Sequence, residues 1–384
     1  MKYGKINKCV EQENMFFRER LNMTDYELAE FDAVSLDKMC SDSVELIKYA
    51  RSTAVRQVNV VQTMTNYCIG KWIVEEQQKG YKRAEYGKQV LKLLSDKLNK
   101  EFGKGFSVDT LENMRKFYVV YQNRISEKLY RNFALEKSDK VSRILDEERP
   151  FQLSWSHYVK LMRVENEMER QFYEIESVKN NWSLPELKRQ LDSALFERLA
   201  LSTDKENVKQ LSEKGQIIAN ASDMVKDPYV LEFLGLEEKS IYSETELENR
   251  ILNNLQKFLL ELGKGFTFVA RQKRFTFDEE HFRVDLVFYN RLLKCFVLFD
   301  LKIGELKHQD LGQMQMYVNY YDRFEKTEEE NPTIGILLCN EKKDALVELT
   351  LPKDSNIYAS KYQLYLPDKN VLREKLKEWM KEDN

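Results

Sequence analysis

Two charged residues interrupt one of the most apolar stretches of the 384-residue chain, Phe296-Val297-Leu298-Phe299-Asp300-Leu301-Lys302-Ile303. A near-continuous apolar run of this length reads as a strand covered on both faces. Side chains alternate with period two, so Asp300 and Lys302 emerge side by side on one face. An isolated buried charge is costly, so these two must be paired, metal-bound or at the open end of the strand. The preceding run, Phe282 to Tyr289, repeats the anomaly with Asp285. A short connection around Asn290 to Leu293 makes the two runs a hairpin and brings Asp285 towards Asp300. Two carboxylates and an ammonium then converge. Carboxylate oxygens suit a hard cation such as Mg²⁺, which keeps several waters and takes substrate phosphates as further ligands. A site of that kind activates water and stabilises charge developing on a phosphate.

The competing interpretation is structural: Asp300 and Lys302 as a buried ion pair, Asp285 as a strand-end surface residue. A second buried carboxylate without a structural partner argues against it. His281 and His308 lie near the motif, but with His157 the three histidines form no ligand triad, and both read as surface residues. The Gly103-Lys104-Gly105 and Gly263-Lys264-Gly265 segments lack the spacing and following Ser or Thr of a phosphate loop, and read as helix stops. Met314, Met316 and Tyr317 read as core packing.

Residues 1–42 are charged and weakly periodic and read as an irregular extension. From Ser43 apolar residues recur at spacings of three and four, giving a mainly α-helical N-terminal domain over 43–202. Within it Leu91, Leu94, Leu98 and Phe102 form one helical stripe. The GKGF turn breaks that stripe, and Ser107 or Asp109 can cap a following helix carrying Leu111, Met114, Phe117 and Tyr118. This pair is either a DNA-reading helix-turn-helix, with Lys104, Asn113, Arg115 and Lys116 facing nucleic acid, or an ordinary packed αα-hairpin. Charged residues 124–149 read as a loop, and Pro185 sits near a helix start. Residues 203–243 lose periodicity and read as a packed connector. The last part, 244–384, changes grammar: a helix over about 245–262, three strands (FTFVARQKRFTF, FRVDLVFY, KCFVLFDLKI), a helix around QDLGQMQMYVNYYDRF and the strand TIGILLC. That order predicts an α/β sheet with helices on its faces.

Asp285, a fourteen-residue gap and Asp300-x-Lys302 resemble the PD-(D/E)XK nuclease signature. The surrounding text, FLLELGKGFTFVARQKRF through DLKIGELKHQDLGQMQMYVNYYD, resembles the YhcG-like branch of that superfamily. YGKQVLKLLSDKLNKEFGKGFS, MRKFYVVY, LSWSHY and FERLALS look like that family's helical N-terminal domain. The resemblance covers roughly residues 45–350. It implies a restriction-endonuclease-like fold for 244–384 and a Mg²⁺-dependent endonuclease, with Mn²⁺ as substitute metal. Asp285 and Asp300 would hold the metal, Lys302 would orient or activate water, and Gln313 would support the lysine or a phosphate. A helical acid often completes such sites, and Glu248 is chosen over Glu244 and Glu246. Many relatives carry Glu where this chain has Asp300. DNA is the favoured substrate, in DNA processing or defence against foreign DNA; the alternative is a nucleic-acid-binding scaffold that keeps the fold without turnover.

Composition bounds the partners. A net charge of −3 supplies no global field for a polyanion, so nucleic acid must be gripped by local basic surfaces. Five dispersed cysteines without CxxC spacing indicate neither a disulfide framework nor a zinc cluster and suit a reducing cytoplasm. No signal peptide or membrane-spanning run is evident, and a homodimer is compatible with all of this.

Overall fold

The computed structural model describes residues 33–79, 84–135, 150–201, 205–226, 228–236, 242–277, 279–352 and 355–381. Helix α1 (Ala33–Lys79) is 47 residues long and begins ten residues before the expected end of the extension. Residues 33–42 are therefore helical, and the remainder of that extension lies outside the described residues. Helices α2 (Ala84–Phe102) and α3 (Val108–Tyr121) are joined by the glycine turn, where Gly103 and Gly105 adopt φ of 82° and 151°. Ser107 caps α3 by accepting from Thr110 N–H. Part of the expected loop at 124–149 is ordered: α4 (Glu127–Tyr130) runs into a π turn, Arg131–Leu135, because Ser126 caps it and Leu129 and Tyr130 are buried. Residues 136–149 lie outside the description.

Helices α5 (Trp155–Leu161), α6 (Glu167–Lys179), α7 (Leu184–Asp192) and α8 (Leu195–Leu201) complete the helical half. Its core is aromatic, with Phe117 within 4.9–5.3 Å, centroid to centroid, of Tyr121, Phe151, Trp155 and Tyr158.

The expected connector is largely built into its neighbours. It holds α9 (Lys205–Lys214) and strand β1 (Tyr229–Val230), which pairs in parallel with β6 (Ile357–Gln363). The sheet therefore starts before residue 244. Its order is β1-β6-β5-β4-β3-β2. Strands β2 (Phe266–Phe277), β3 (Glu280–Asn290) and β4 (Cys295–Glu305) are antiparallel, while β4, β5 (Ile334–Glu341) and β6 run parallel. The expected single helix over 245–262 is two, α10 (Glu244–Asn253) and α11 (Leu255–Leu262), broken at Asn254. They cover one sheet face through Leu247, Ile251 and Phe258 against Phe288, Phe299 and Leu301. Helix α12 (His308–Tyr320) covers the other, with Met314 and Tyr317 against Val287, Leu298 and Leu337. Helices α13 (Asp344–Thr350) and α14 (Lys369–Lys381) follow, flanking β6 in sequence.

The halves meet through charge. Arg198 lies 2.7 Å and Arg189 3.2 Å from buried Glu261, Arg189 also holds Glu232 at 2.9 Å, and Lys264 holds Glu176 at 2.7 Å. Lys226, buried beside them, donates to the Glu261 carbonyl. Burial first, then the Arg198 and Arg189 charges, carry the Lys226 ammonium down to about 8. The same guanidiniums outweigh burial at Glu261 and hold its carboxyl at about 2. Helix α14 returns to the helical half, where Arg373 meets Glu169 at 2.9 Å and Glu197 at 3.2 Å.

Candidate active site

Alternation along β4 sends Val297, Phe299 and Leu301 into the α10–α11 face and Leu298 into the α12 face. Asp300 and Lys302 share the side of Leu298. Strands β3 and β4 pair from Asn290↔Cys295 to Leu286↔Phe299, so the next step of that register sets Asp285 opposite Asp300. There the backbone ladder gives way to a side chain: Leu301 N–H donates to Asp285 Oδ2 at 2.8 Å. Lys302 Nζ lies 2.9 Å from Asp300 Oδ2 and forms an ion pair with it.

Helix α10 brings Glu248 to the same place. Gln272 Nε2 donates to Glu248 Oε2 at 2.6 Å and to Asp285 Oδ1 at 3.1 Å, tying helix and hairpin together. Gln272 adopts φ +46°, a left-handed conformation that disfavours any side chain and costs on the order of 1 kcal/mol or more. Arg271 Nε stands 3.5 Å from Glu248 Oε1. On α12, Gln313 Nε2 donates to the Tyr317 hydroxyl.

The electrostatics are those of crowded acids. Burial, then the Asp285 charge, pushes the Asp300 carboxyl up to about 7 against the pull of Lys302. Burial and Asp285 also raise Glu248, although the Gln272 amide opposes them. Burial acts against the Lys302 ammonium, but the Asp300 charge outweighs it and the net shift is upward. Burial and the Asp300 charge push the Tyr317 hydroxyl up to about 12.

A divalent cation fits this donor set. Glu248 Oε1 and Asp300 Oδ2 are buried with only a cationic side chain for company, Arg271 at 3.5 Å and Lys302 at 2.9 Å, and the ligands on offer are carboxylate oxygens. Among the described residues no three His, Cys, Asp or Glu side chains close into an all-protein cage.

The fold thus gathers Asp285, Asp300, Lys302 and Glu248. Glu244 instead accepts from Ile303 N–H at 3.4 Å, and Glu246 pairs with Arg250 at 3.1 Å. Gln313 is placed on the Tyr317 hydroxyl rather than on Lys302. Sequence reasoning missed Gln272 and the polar end of Tyr317, whose ring does pack in the core, edge-on to Phe275 at 5.7 Å. The β2–β3 register, with Gln272 between the pairs Arg271↔Leu286 and Lys273↔Val284, is the signal that finds Gln272 opposite Asp285.

His281 and His308 are exposed, and His157 is a tether between Ser154 Oγ and the Trp182 carbonyl. In the helical half, Lys104 is exposed in the glycine turn and Lys116 is exposed on α3. Asn113 is half-buried, and Arg115 lies 2.9 Å from Glu112. The opposite face of α3, Leu111, Met114 and Phe117, is buried, as either a packed hairpin or a DNA-reading pair requires.

Comparison with known proteins places this geometry in context. Residues 222–377 match the YhcG PDDEXK nuclease domain, and residues 42–198 match the DUF1016 N-terminal domain. The nuclease match, like the sheet, begins ahead of residue 244. The protein YhcG of Escherichia coli (strain K12) is 37% identical over 348 residues, covering 87% of this chain and 91% of that protein. A repair endonuclease from Pyrococcus abyssi aligns at 21% identity and TM-score 0.23 over 34% of this chain and 50% of its own. An EndoMS–dsDNA complex aligns at 18% identity and TM-score 0.25 over 35% and 50%. At those scores neither adds to the assignment.

Proposed function

Because the chain belongs to the YhcG family of PDDEXK nucleases, we propose that its C-terminal half hydrolyses phosphodiester bonds in DNA with a divalent cation, Mg²⁺ or Mn²⁺ in its place. The observation that carries this is the convergence of Asp285, Asp300 and Lys302, with Glu248 joined through Gln272, at the point where β3 and β4 part. Asp285, Asp300 and Glu248 would hold the cation. When bound, it lowers the pKa of water and offsets charge on the phosphate.

The protein's own groups supply the rest. Lys302 stands beside Asp300 with an ammonium that can orient the attacking water and meet a phosphate oxygen. Asp300 keeps that ammonium charged. Gln272 fixes the separation of Glu248 and Asp285, and Gln313 with Tyr317 walls the α12 side of the centre. As the resemblance to the PD-(D/E)XK superfamily implies, in-line attack of water on phosphorus expels the 3′ oxygen, which takes up a proton, and leaves a 5′-phosphate. The helical half then recognises nucleic acid through Lys104, Asn113, Arg115 and Lys116, or mediates assembly such as a homodimer. No helix among the described residues is long and apolar enough to cross a membrane.

Plasmid nicking tests the reading. The parent nicks with Mg²⁺ or Mn²⁺ and not in EDTA, and Lys302→Ala removes nicking while duplex binding survives. Binding without nicking by the parent would assign the chain to the scaffold class instead.

A further inference from the structure

We propose that the outer part of the β2–β3 hairpin is a phosphate-binding arm that lays duplex DNA across the catalytic centre; this rests on the nuclease reading above. Pairing of β2 with β3 continues to Phe277↔Glu280, whereas pairing of β3 with β4 ends at Leu286↔Phe299. From Asp285 outwards β3 therefore has a single neighbour, and the two strands run on as a ribbon of about 20 Å at ~3.4 Å per residue. A two-stranded ribbon is one of the few shapes that enters a groove of B-DNA.

One side of the ribbon is held down. Phe275 stacks on Tyr320 at 4.0 Å and on Phe282 at 5.5 Å, and Val284 is buried with them. Alternation turns Arg274 and Arg283 to the other side, where they are direct cross-strand partners and both exposed. Like charges directly opposite each other destabilise a hairpin. Neither arginine forms an ion pair with a described residue, so nothing within the described fold accounts for the arrangement. An anion lying between them does, because guanidiniums take phosphate oxygens in paired hydrogen bonds.

The arm is continuous with the centre. Arg283 is two residues from Asp285 on the same side of β3, roughly 7 Å along the strand. Arg271, which holds Glu248 at 3.5 Å, and exposed Lys273 stand on the Phe275 side of β2 and add positive charge to the ribbon's other side. The described acids near this stretch are Asp285, whose oxygens accept from Gln272 Nε2 and Leu301 N–H, Glu248, which Arg271 faces, and Glu279 and Glu280 at the tip. A chain with net charge −3 needs such a local concentration of cations to hold a polyanion.

The test uses the full chain, a fluorescent duplex of about 30 base pairs and EDTA, with anisotropy read across a salt series. Arg274→Gln with Arg283→Gln lowers the slope of log affinity against log salt by about 2, at ~0.9 for each phosphate no longer neutralised. At 0.1 M salt its affinity falls at least tenfold. Arg274→Lys with Arg283→Lys keeps most of the slope; the Gln variant melts no lower than the parent in EDTA because it removes opposed like charges, and the Lys variant melts with the parent because it keeps them. An unchanged slope in the Gln variant overturns the arm. If the parent still nicks plasmid, the nuclease reading stands without it. If the parent never nicks but the slope falls as stated, the nuclease reading fails and the arm remains as a DNA-binding element. Absence of any duplex binding by the parent overturns the arm outright.

Discussion

Replacing Asp300 by Asn separates a catalytic carboxylate from a structural one by the sign of a stability change. In metal-free protein, burial and the neighbouring Asp285 raise the Asp300 carboxyl from 3.8 to about 7. A group whose folded pKa lies above its unfolded value favours folding in its protonated form. Its full contribution is present below pH ~4 and is lost as pH rises through about 7. One unit corresponds to about 1.4 kcal/mol, so ionised Asp300 costs the metal-free fold on the order of 4 kcal/mol at pH 8. Asparagine escapes that cost. In EDTA the two proteins should melt together near pH 4 and diverge as pH rises, with Asp300→Asn the more stable by several degrees at pH 8. Adding Mg²⁺ or Mn²⁺ should stabilise the parent and leave the variant unmoved. A structural ion pair predicts the reverse, because removing one partner of a buried pair typically costs about 3–5 kcal/mol. A large loss of stability of Asp300→Asn in EDTA at pH 8 would refute the catalytic assignment. Groups outside the centre titrate in both proteins alike, so the difference between the curves isolates residue 300 together with the neighbours its charge acts on, Asp285, Lys302 and Tyr317.

Glu261→Gln should lose about 3–5 kcal/mol near neutral pH, because it removes the buried anion that Arg198 and Arg189 share and leaves Arg189 with Glu232 alone as its acid. The Glu261 carboxyl is depressed to about 2, so its contribution is present above pH ~4.5 and fades as pH falls towards 2; thermal melts of the Gln variant should show a flatter acid limb. Gly70→Ala should destabilise the helical half by about 1–3 kcal/mol or more, since an added Cβ would sit 2.1 Å from the Met114 carbonyl oxygen where α1 and α3 touch. Parent-like melting of that variant would mean that the helices separate freely. Lys104→Ala with Lys116→Ala in the full chain should lower the salt slope of duplex binding by up to about 2; an unchanged slope would leave assembly as the task of that half.

The centre was legible where a charge violated its surroundings. Asp300 and Lys302 inside an apolar strand announce themselves, and a four-residue connection is short enough to pair the strand with its predecessor, so Asp285 follows. Glu248 was reachable through the family resemblance, which asks for a helical acid ahead of the first strand. Gln272 was not, because its place depends on a register that shifts between Phe268 and Ala270, so strand alternation counted from Phe266 fails before reaching it. Tyr317 carries an apolar ring into the core and a hydroxyl towards charge, and residue type alone reports only the ring. Strand β1 is two residues long and finds its partner more than 130 residues later, a contact that no local pattern encodes. Residues 38–58 of α1 are exposed on nearly every side, so no buried stripe marked where that helix begins.

The ion network between the halves bears on how such a chain can be rearranged in evolution. A recombination that coupled this nuclease half to a foreign helical half would strand Glu261 without Arg198 and Arg189 and Lys264 without Glu176. One orphaned buried charge costs about 3–5 kcal/mol, a large part of the 5–15 kcal/mol by which a domain usually stays folded. The two halves are therefore expected to be inherited as a single cassette. A crossover inside the 203–243 stretch survives only if it imports the matching acids and bases on both sides of the seam.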